Sequence, residues 1–178
     1  MYHFYMYEQP NYYQVPMHYY RRYPYYGYNP YGGRFGNFNQ PINIKDYGKE
    51  PYVVNIEQAA EQNRTFRTAL WTGKHLQVTL MSINVGEDIG LEIHPTVDQF
   101  LRIEEGNGLV QMGKRRDQLT FERYVGEDDA IMVPAGTWHN ITNIGREPLK
   151  LYSIYAPPEH PFGTVHRTKA DAIEAEKH

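Results

Sequence analysis

The 178-residue sequence contains no cysteine, which excludes disulfides and thiolate metal ligation. It holds no apolar run approaching the roughly 18 residues a membrane-spanning helix needs. No basic start followed by an aliphatic stretch opens it, so a secretory signal is not expected. Charge of one sign is scarce: 18 basic and 21 acidic residues leave a net −3. That balance offers neither a duplex-DNA face nor a polyelectrolyte, and nucleic acid is not an expected partner. The phosphate-loop pattern is missing, "TGK" (72–74) being too short for one. No Gly-x-Ser-x-Gly occurs either, so a serine-hydrolase elbow is unsupported. The absences together predict a soluble, cytoplasmic protein with no membrane partner.

What is present divides unevenly. Residues 1–40 hold twelve of the 17 tyrosines, lack leucine, and have Val15 as their one β-branched aliphatic residue. Gly, Pro and Asn punctuate them, and neither a period of 2 nor of 3.6 persists. Such a segment buries too little to offset its ordering entropy, so a disordered, low-complexity arm is expected. Its tyrosines can stack on one another and on Arg21, Arg22 and Arg34, which suits self-association. Three arginines make few phosphate contacts, so RNA binding is disfavoured. Three of the 18 basic residues and one of the 21 acids lie in the arm, leaving 15 against 20, a charge of −5, for the rest.

Residues 41–178 read as one domain, long enough to bury a core. "YVVNIEQAAEQN" (52–63) reads as a strand followed by a short helix. "FRTALWTG" and "HLQVTLMSIN" read as strands, Leu76, Val78 and Leu80 alternating with Gln77 and Thr79. Further short strands are expected at 91–94, 97–104, 108–112, 119–124, 130–134, 140–144 and 149–156. Turn residues separate them at regular spacing, the pattern of an antiparallel sandwich or barrel. "TKADAIEAEKH" closes the chain as a short helix, with Thr168 as cap and Asp171 three residues on.

"GLEIHPTVDQFLRIEEG" (90–106) raises a chemical question, because Glu92, His94 and Gln99 interrupt its apolar positions. Alternate strand residues share a face, so Glu92 and His94 point one way. Gln99 shares its face with Leu101 and Ile103 on the next strand, after the bend "PTVD". "DDAIMVPAGTWHNITN" then supplies His139 after a Pro-Ala-Gly turn. Two imidazoles, a carboxylate and a carboxamide oxygen form a mixed N/O set suited to Mn, Fe, Co, Ni or Zn. A buried carboxylate beside two histidines calls for a counter-charge, and a divalent ion supplies one.

These motifs resemble those of the cupin family. Its first motif, G-x5-H-x-H-x3-4-E-x6-G, is matched by Gly86, His94 and Gly106, with Glu92 in the place of the first His and Gln99 in the place of the Glu. Its second, G-x5-P-x-G-x2-H-x3-N, is matched by Pro134, Gly136, His139 and Asn143, with Asp128 in the place of the leading Gly. The motifs span 86–106 and 128–143. The resemblance implies an all-β double-stranded β-helix, a jelly-roll barrel with a short C-terminal helix. It implies metal ligation by His94 and His139 and, by position, by Glu92 and Gln99. It also implies a homodimer.

For function, the resemblance implies a metal-dependent enzyme on a small polar molecule, similar to cupins labelled sugar-phosphate isomerases. Oxygenase and decarboxylase chemistry belong to the same family, and no catalytic base is singled out. A non-catalytic cupin that binds a small ligand is the alternative. The arm adds a third reading, because Tyr/Gly-rich segments resemble those of spore-coat proteins. Outside the motifs, the Pro-rich loop 155–166 is placed to cover the barrel mouth and bring Tyr155 or His160 near a ligand. His75 and His166 are lesser candidates. "GKRRDQ" (113–118) reads as a solvated basic turn.

Overall fold

The computed structural model describes residues 40–175 and 177. Apart from Gln40, the Tyr-rich arm and the disorder and self-association expected of it lie outside the described residues. Along the described chain run α1 (Ile56–Gln62), β1 (Arg67–Thr72), β2 (Gln77–Ile83), β3 (Asp98–Glu105), β4 (Gly108–Gly113), β5 (Phe121–Val125), β6 (Ala130–Val133), β7 (Trp138–Asn143), β8 (Leu149–Ala156), β9 (Val165–His166) and α2 (Lys169–Ala175). The strands form two antiparallel sheets, of order β6-β3-β8-β2-β1-β9 and β5-β4-β7. Val110 and Ile141 of the smaller sheet pack with Met81, Leu101, Ile103 and Leu151 of the larger one. The core therefore lies between the sheets, as expected of a jelly-roll barrel.

The inward face of the larger sheet is split by polarity. Met81 and Ile83 on β2, Leu101 and Ile103 on β3, and Leu149 and Leu151 on β8 make an apolar floor. Farther along the same strands, Gln77, Thr79, Gln99, Ser153 and Tyr155 are also buried and make a polar rim. In β2 the apolar alternation thus belongs to the opposite face: Leu80 and Val78 pack under α1, against Ala59, Ala60 and Leu70. The strand is buried on both faces, so Gln77 and Thr79 line the barrel instead of meeting solvent. α1 starts at Asn55, whose side chain accepts from Gln58 N (3.1 Å). Residues 52–55 form no strand.

The expected strand at 91–94 is replaced by a segment that follows β7 through isolated bridges, Asp88 opposite Thr142 and Glu92 opposite His139. Gly86 (φ 76°) and Gly90 (φ 90°) interrupt it with left-handed backbone that a continuous strand cannot contain. At the other end of the chain, Thr168 and Asp171 form the expected reciprocal cap. The Asp171 amide donates to Thr168 Oγ1 (3.2 Å), and the Thr168 amide donates to the Asp171 carboxylate (3.0 Å). Residues 114–118 are exposed, as a solvated turn should be, with Arg115 paired to Asp117 (2.9 Å). Among the described residues no helix is long and apolar enough to cross a membrane.

Candidate metal centre

Main-chain bonds join the two motifs. Glu92 and His139 exchange them, N to O at 3.1 Å and 3.0 Å, which places the two side chains opposite one another. His94 follows at the next same-face position, and its carbonyl accepts from Gly136 N (2.9 Å). Gly136 has φ 75° within the turn that Thr137 N closes on Pro134 O (3.1 Å). The Pro-Ala-Gly element therefore aims His139 and anchors His94 as well.

The side chains converge on one carboxylate oxygen. Glu92 Oε1 lies 3.4 Å from His94 Nε2 and 3.3 Å from His139 Nε2. All three atoms are shielded from solvent, and none has a hydrogen-bond partner. The far side of each ring is held. His139 Nδ1 lies 3.0 Å from Thr137 O, and His94 Nδ1 lies 3.2 Å from Glu159 Oε1. A carbonyl and a carboxylate only accept, so each Nδ1 carries the proton, and each Nε2 turns a lone pair toward Glu92. Three lone-pair atoms facing one another repel unless a cation lies among them. The group of Glu92, His94 and His139, its donor atoms within 4.8 Å of one another, can bind a metal ion, and its N/O chemistry fits a divalent transition metal.

The electrostatics carry the same demand. Burial pushes the Glu92 carboxyl up, but without a metal a proton on Nε2 of His139 or His94 that is donated to Glu92, together with the Arg67 guanidinium, outweighs it and holds the group below the ordinary carboxylate range. Burial opposes charge on His94, yet Glu92 and then Glu159 raise its pKa. A proton on His94 and a cation between the rings answer the same excess of negative potential.

Gln99 is buried on the inward face of β3. Its Nε2 donates to Ser153 Oγ (2.9 Å), and its Oε1 is shielded and unpartnered. Tyr155 is fully buried and meets the His94 ring edge-on at 5.6 Å. The loop after β8 brings in Glu159 and also His160, whose ring meets Tyr155 at 5.1 Å. Burial, and next the charge of Arg67, hold the His160 pKa down at about 3. His166, on β9, is lowered by the same two causes. His75 is exposed.

Three contributors were not singled out in the sequence. Arg67 on β1 is buried, with Nη2 3.9 Å from Glu92 Oε2. Glu159 orients His94. Gln77 clamps the loop, accepting from His160 N (2.9 Å) and donating to His160 O (2.8 Å). No periodic signal marked Arg67 or Gln77, because β1 is buried at four successive residues and the apolar alternation of β2 lies on its other face.

Comparison with known proteins agrees with this architecture. The family model for the cupin domain matches residues 79–155. The uncharacterized protein YrkC of Bacillus subtilis is 72% identical over 133 residues, covering 75% of this chain and 72% of its own. The uncharacterized protein L612 of Acanthamoeba polyphaga mimivirus is 42% identical over 115 residues, 64% of this chain and 70% of its own. The crystal structure of BH2720 from Bacillus halodurans matches with a TM-score of 0.73 and 68% identity, covering 74% of this chain and 99% of that one. TT1209 from Thermus thermophilus, with a TM-score of 0.51 and 20% identity over 59% of this chain and 96% of that one, shares the fold alone.

Proposed function

This chain belongs to the cupin family, and from that premise we propose that it is a metal-binding cupin acting on a small polar molecule in the polar end of the barrel. The observation that carries the reading is the convergence of Glu92 Oε1, His94 Nε2 and His139 Nε2, all buried and all without hydrogen-bond partners. Gln99 is the fourth donor in this reading, supported by its buried, unpartnered Oε1 and by the Ser153 contact that fixes its amide. Mn, Fe, Co, Ni and Zn all suit such a set, and the bound ion supplies Lewis-acid polarisation of a substrate oxygen. Thr137 and Glu159 orient the rings. Tyr155 packs edge-on against the His94 ring, and His160 packs against Tyr155.

The finer reading is isomerase-type chemistry on a sugar or sugar phosphate, in which a proton moves between neighbouring substrate atoms. Glu159, with 30% of its side chain exposed, is the carboxylate placed to hold that proton. His160, with its pKa at about 3, is too weak a base for the task. The second reading, a cupin that binds its ligand without turnover, is motivated by Glu92 and Gln99 standing where the family motif carries histidine and glutamate. The homodimer expected of the family belongs to the proposal too. It is supported by an apolar groove of about 420 Å³ on the outer sheet face, at Phe100, Met132 and Ile154.

Elemental analysis of the purified chain, beside Glu92→Ala and His139→Ala, tests the metal reading. A near-stoichiometric transition metal, lost in both variants, is expected. A protein that takes up none of the five metals would sink it. Turnover in a substrate screen with loaded protein separates the enzyme from the binding protein, which would show only thermal stabilisation.

A further inference from the structure

We propose that the polar end of the barrel takes a small carboxylate and that Arg67 is the residue that pairs with it, an inference that rests on the metal reading above and sets an organic acid in place of the sugar or sugar phosphate as the ligand. Arg67 is among the largest fully buried side chains, at 1% exposure. It sits on β1, paired with Met81 on one side and His166 on the other. Its Nε and Nη1 are shielded and have no hydrogen-bond partner. A guanidinium carries five N–H donors and cannot shed its charge, and native proteins rarely leave buried donors of this kind unpaired.

Glu92 does not fill the gap. Its Oε2 lies 3.9 Å from Arg67 Nη2, beyond hydrogen-bond range, and its Oε1 is turned to the two imidazoles. When Glu92 shares its charge with a divalent ion, the pocket holds three positive charges, from the ion and Arg67, against the two carboxylates of Glu92 and Glu159. The surplus is positive, and Arg67 is the cation left without a counter-charge. His160 Nε2 and His166 Nδ1 are also buried and unpartnered. As neutral rings they add hydrogen-bonding capacity without adding charge.

The missing partner is therefore an anion that presents two coplanar oxygens to a guanidinium fork, which is a carboxylate. A neutral sugar leaves the charge of Arg67 unanswered. A phosphate brings a second negative charge toward Glu92 and Glu159. Because Arg67 and the Glu92 carboxylate are adjacent, the ligand that fits best carries another oxygen beside its carboxylate, as 2-hydroxy and 2-oxo acids do.

Isothermal titration and thermal melting test this on the full chain, loaded with zinc and checked by elemental analysis. The probes are glycolate, pyruvate, inorganic phosphate and glucose. Saturable binding of glycolate or pyruvate is expected, stronger than that of phosphate or glucose. Arg67→Met should keep its metal and lose at least tenfold in carboxylate affinity, and Arg67→Lys should fall between. The proposal is overturned if the loaded protein ignores both acids, if phosphate or glucose binds as well, or if metal-bound Arg67→Met binds the acids like wild type. The wild-type titration and Arg67→Lys decide the matter if Arg67→Met does not fold. A protein that loads no metal sinks the metal reading together with this one. A protein that loads metal and ignores carboxylates sinks this one alone.

Discussion

Glu159 does for His94 what the Thr137 carbonyl does for His139: each holds an Nδ1 proton and so turns Nε2 toward the shared carboxylate oxygen. Losing such a partner typically weakens metal affinity about 10- to 100-fold. Glu159→Ala should show that loss in competition with a chromophoric chelator. Glu159→Gln keeps an acceptor oxygen and should stay within a few-fold of wild type in metal affinity; on the proposed isomerase reading it cannot carry a proton and should lose turnover. Equal metal affinity in all three proteins would remove Glu159 from the orienting role. Glu92, His94 and His139 were legible in the sequence because spacing alone puts them on strand faces that meet. Arg67 was not, because an arginine at a strand start reads as solvent-facing, and only the neighbouring strands show that its face is enclosed. Glu159 sits in a loop whose path no periodicity predicts. Asp128, standing where the family motif has glycine, has φ 73°, so the turn is kept by a residue whose short polar side chain tolerates left-handed backbone.

Among the elements, the loop that carries Glu159 and His160 is fastened by Gln77 and, farther on, by Asp46, whose carboxylate accepts from Gly163 N (2.9 Å). Gln77 on β2 bonds both the amide and the carbonyl of His160. Gln77→Leu leaves two peptide groups without partners and should cost about 2 kcal/mol. Amide exchange at residues 158–163 should quicken while metal content stays. Unchanged exchange there would mean that other contacts hold the loop. Most strands were readable because their apolar residues alternate, and the caps of α2 were readable because Thr168 and Asp171 stand three apart. The strand expected at 91–94 is reduced to one bridge, Glu92 opposite His139, because a polar-apolar alternation does not register how short the pairing with β7 is. β9 has two residues, too few for any periodic signal.

For the molecule as a whole, α2 is held to the barrel by acids. Asp88 accepts from Gly90 N (2.7 Å) and pairs with Lys169 at the start of the helix. Ala172 reaches the apolar core. Burial raises the Asp88 pKa, but Lys169 and the Gly90 amide outweigh it and lower it from 3.8. The Thr168 amide and hydroxyl lower that of Asp171. A carboxylate with a depressed folded-state pKa adds stability that is fully present above its unfolded value and is lost as pH falls through the folded value. Melting temperature should therefore decline as pH falls below about 6.5, where His160 and His166 take a proton only in the unfolded chain, and drop further below about pH 4 as Asp88 and Asp171 are protonated. Asp88→Asn should lower it at pH 7 by an amount equivalent to about 1 kcal/mol or less, and should flatten the acid drop. An acid profile that the substitution leaves unaltered would place the acid-sensitive carboxylates elsewhere.

The split of the barrel interior into an apolar floor and a polar rim has a consequence for how such a protein changes over generations. Residues that secure the fold and residues that set the chemistry occupy different levels of the same strands, so the rim can be rewritten while the floor keeps the chain foldable. A glutamine at position 99 on β3, where the family motif carries glutamate, is a difference of that kind.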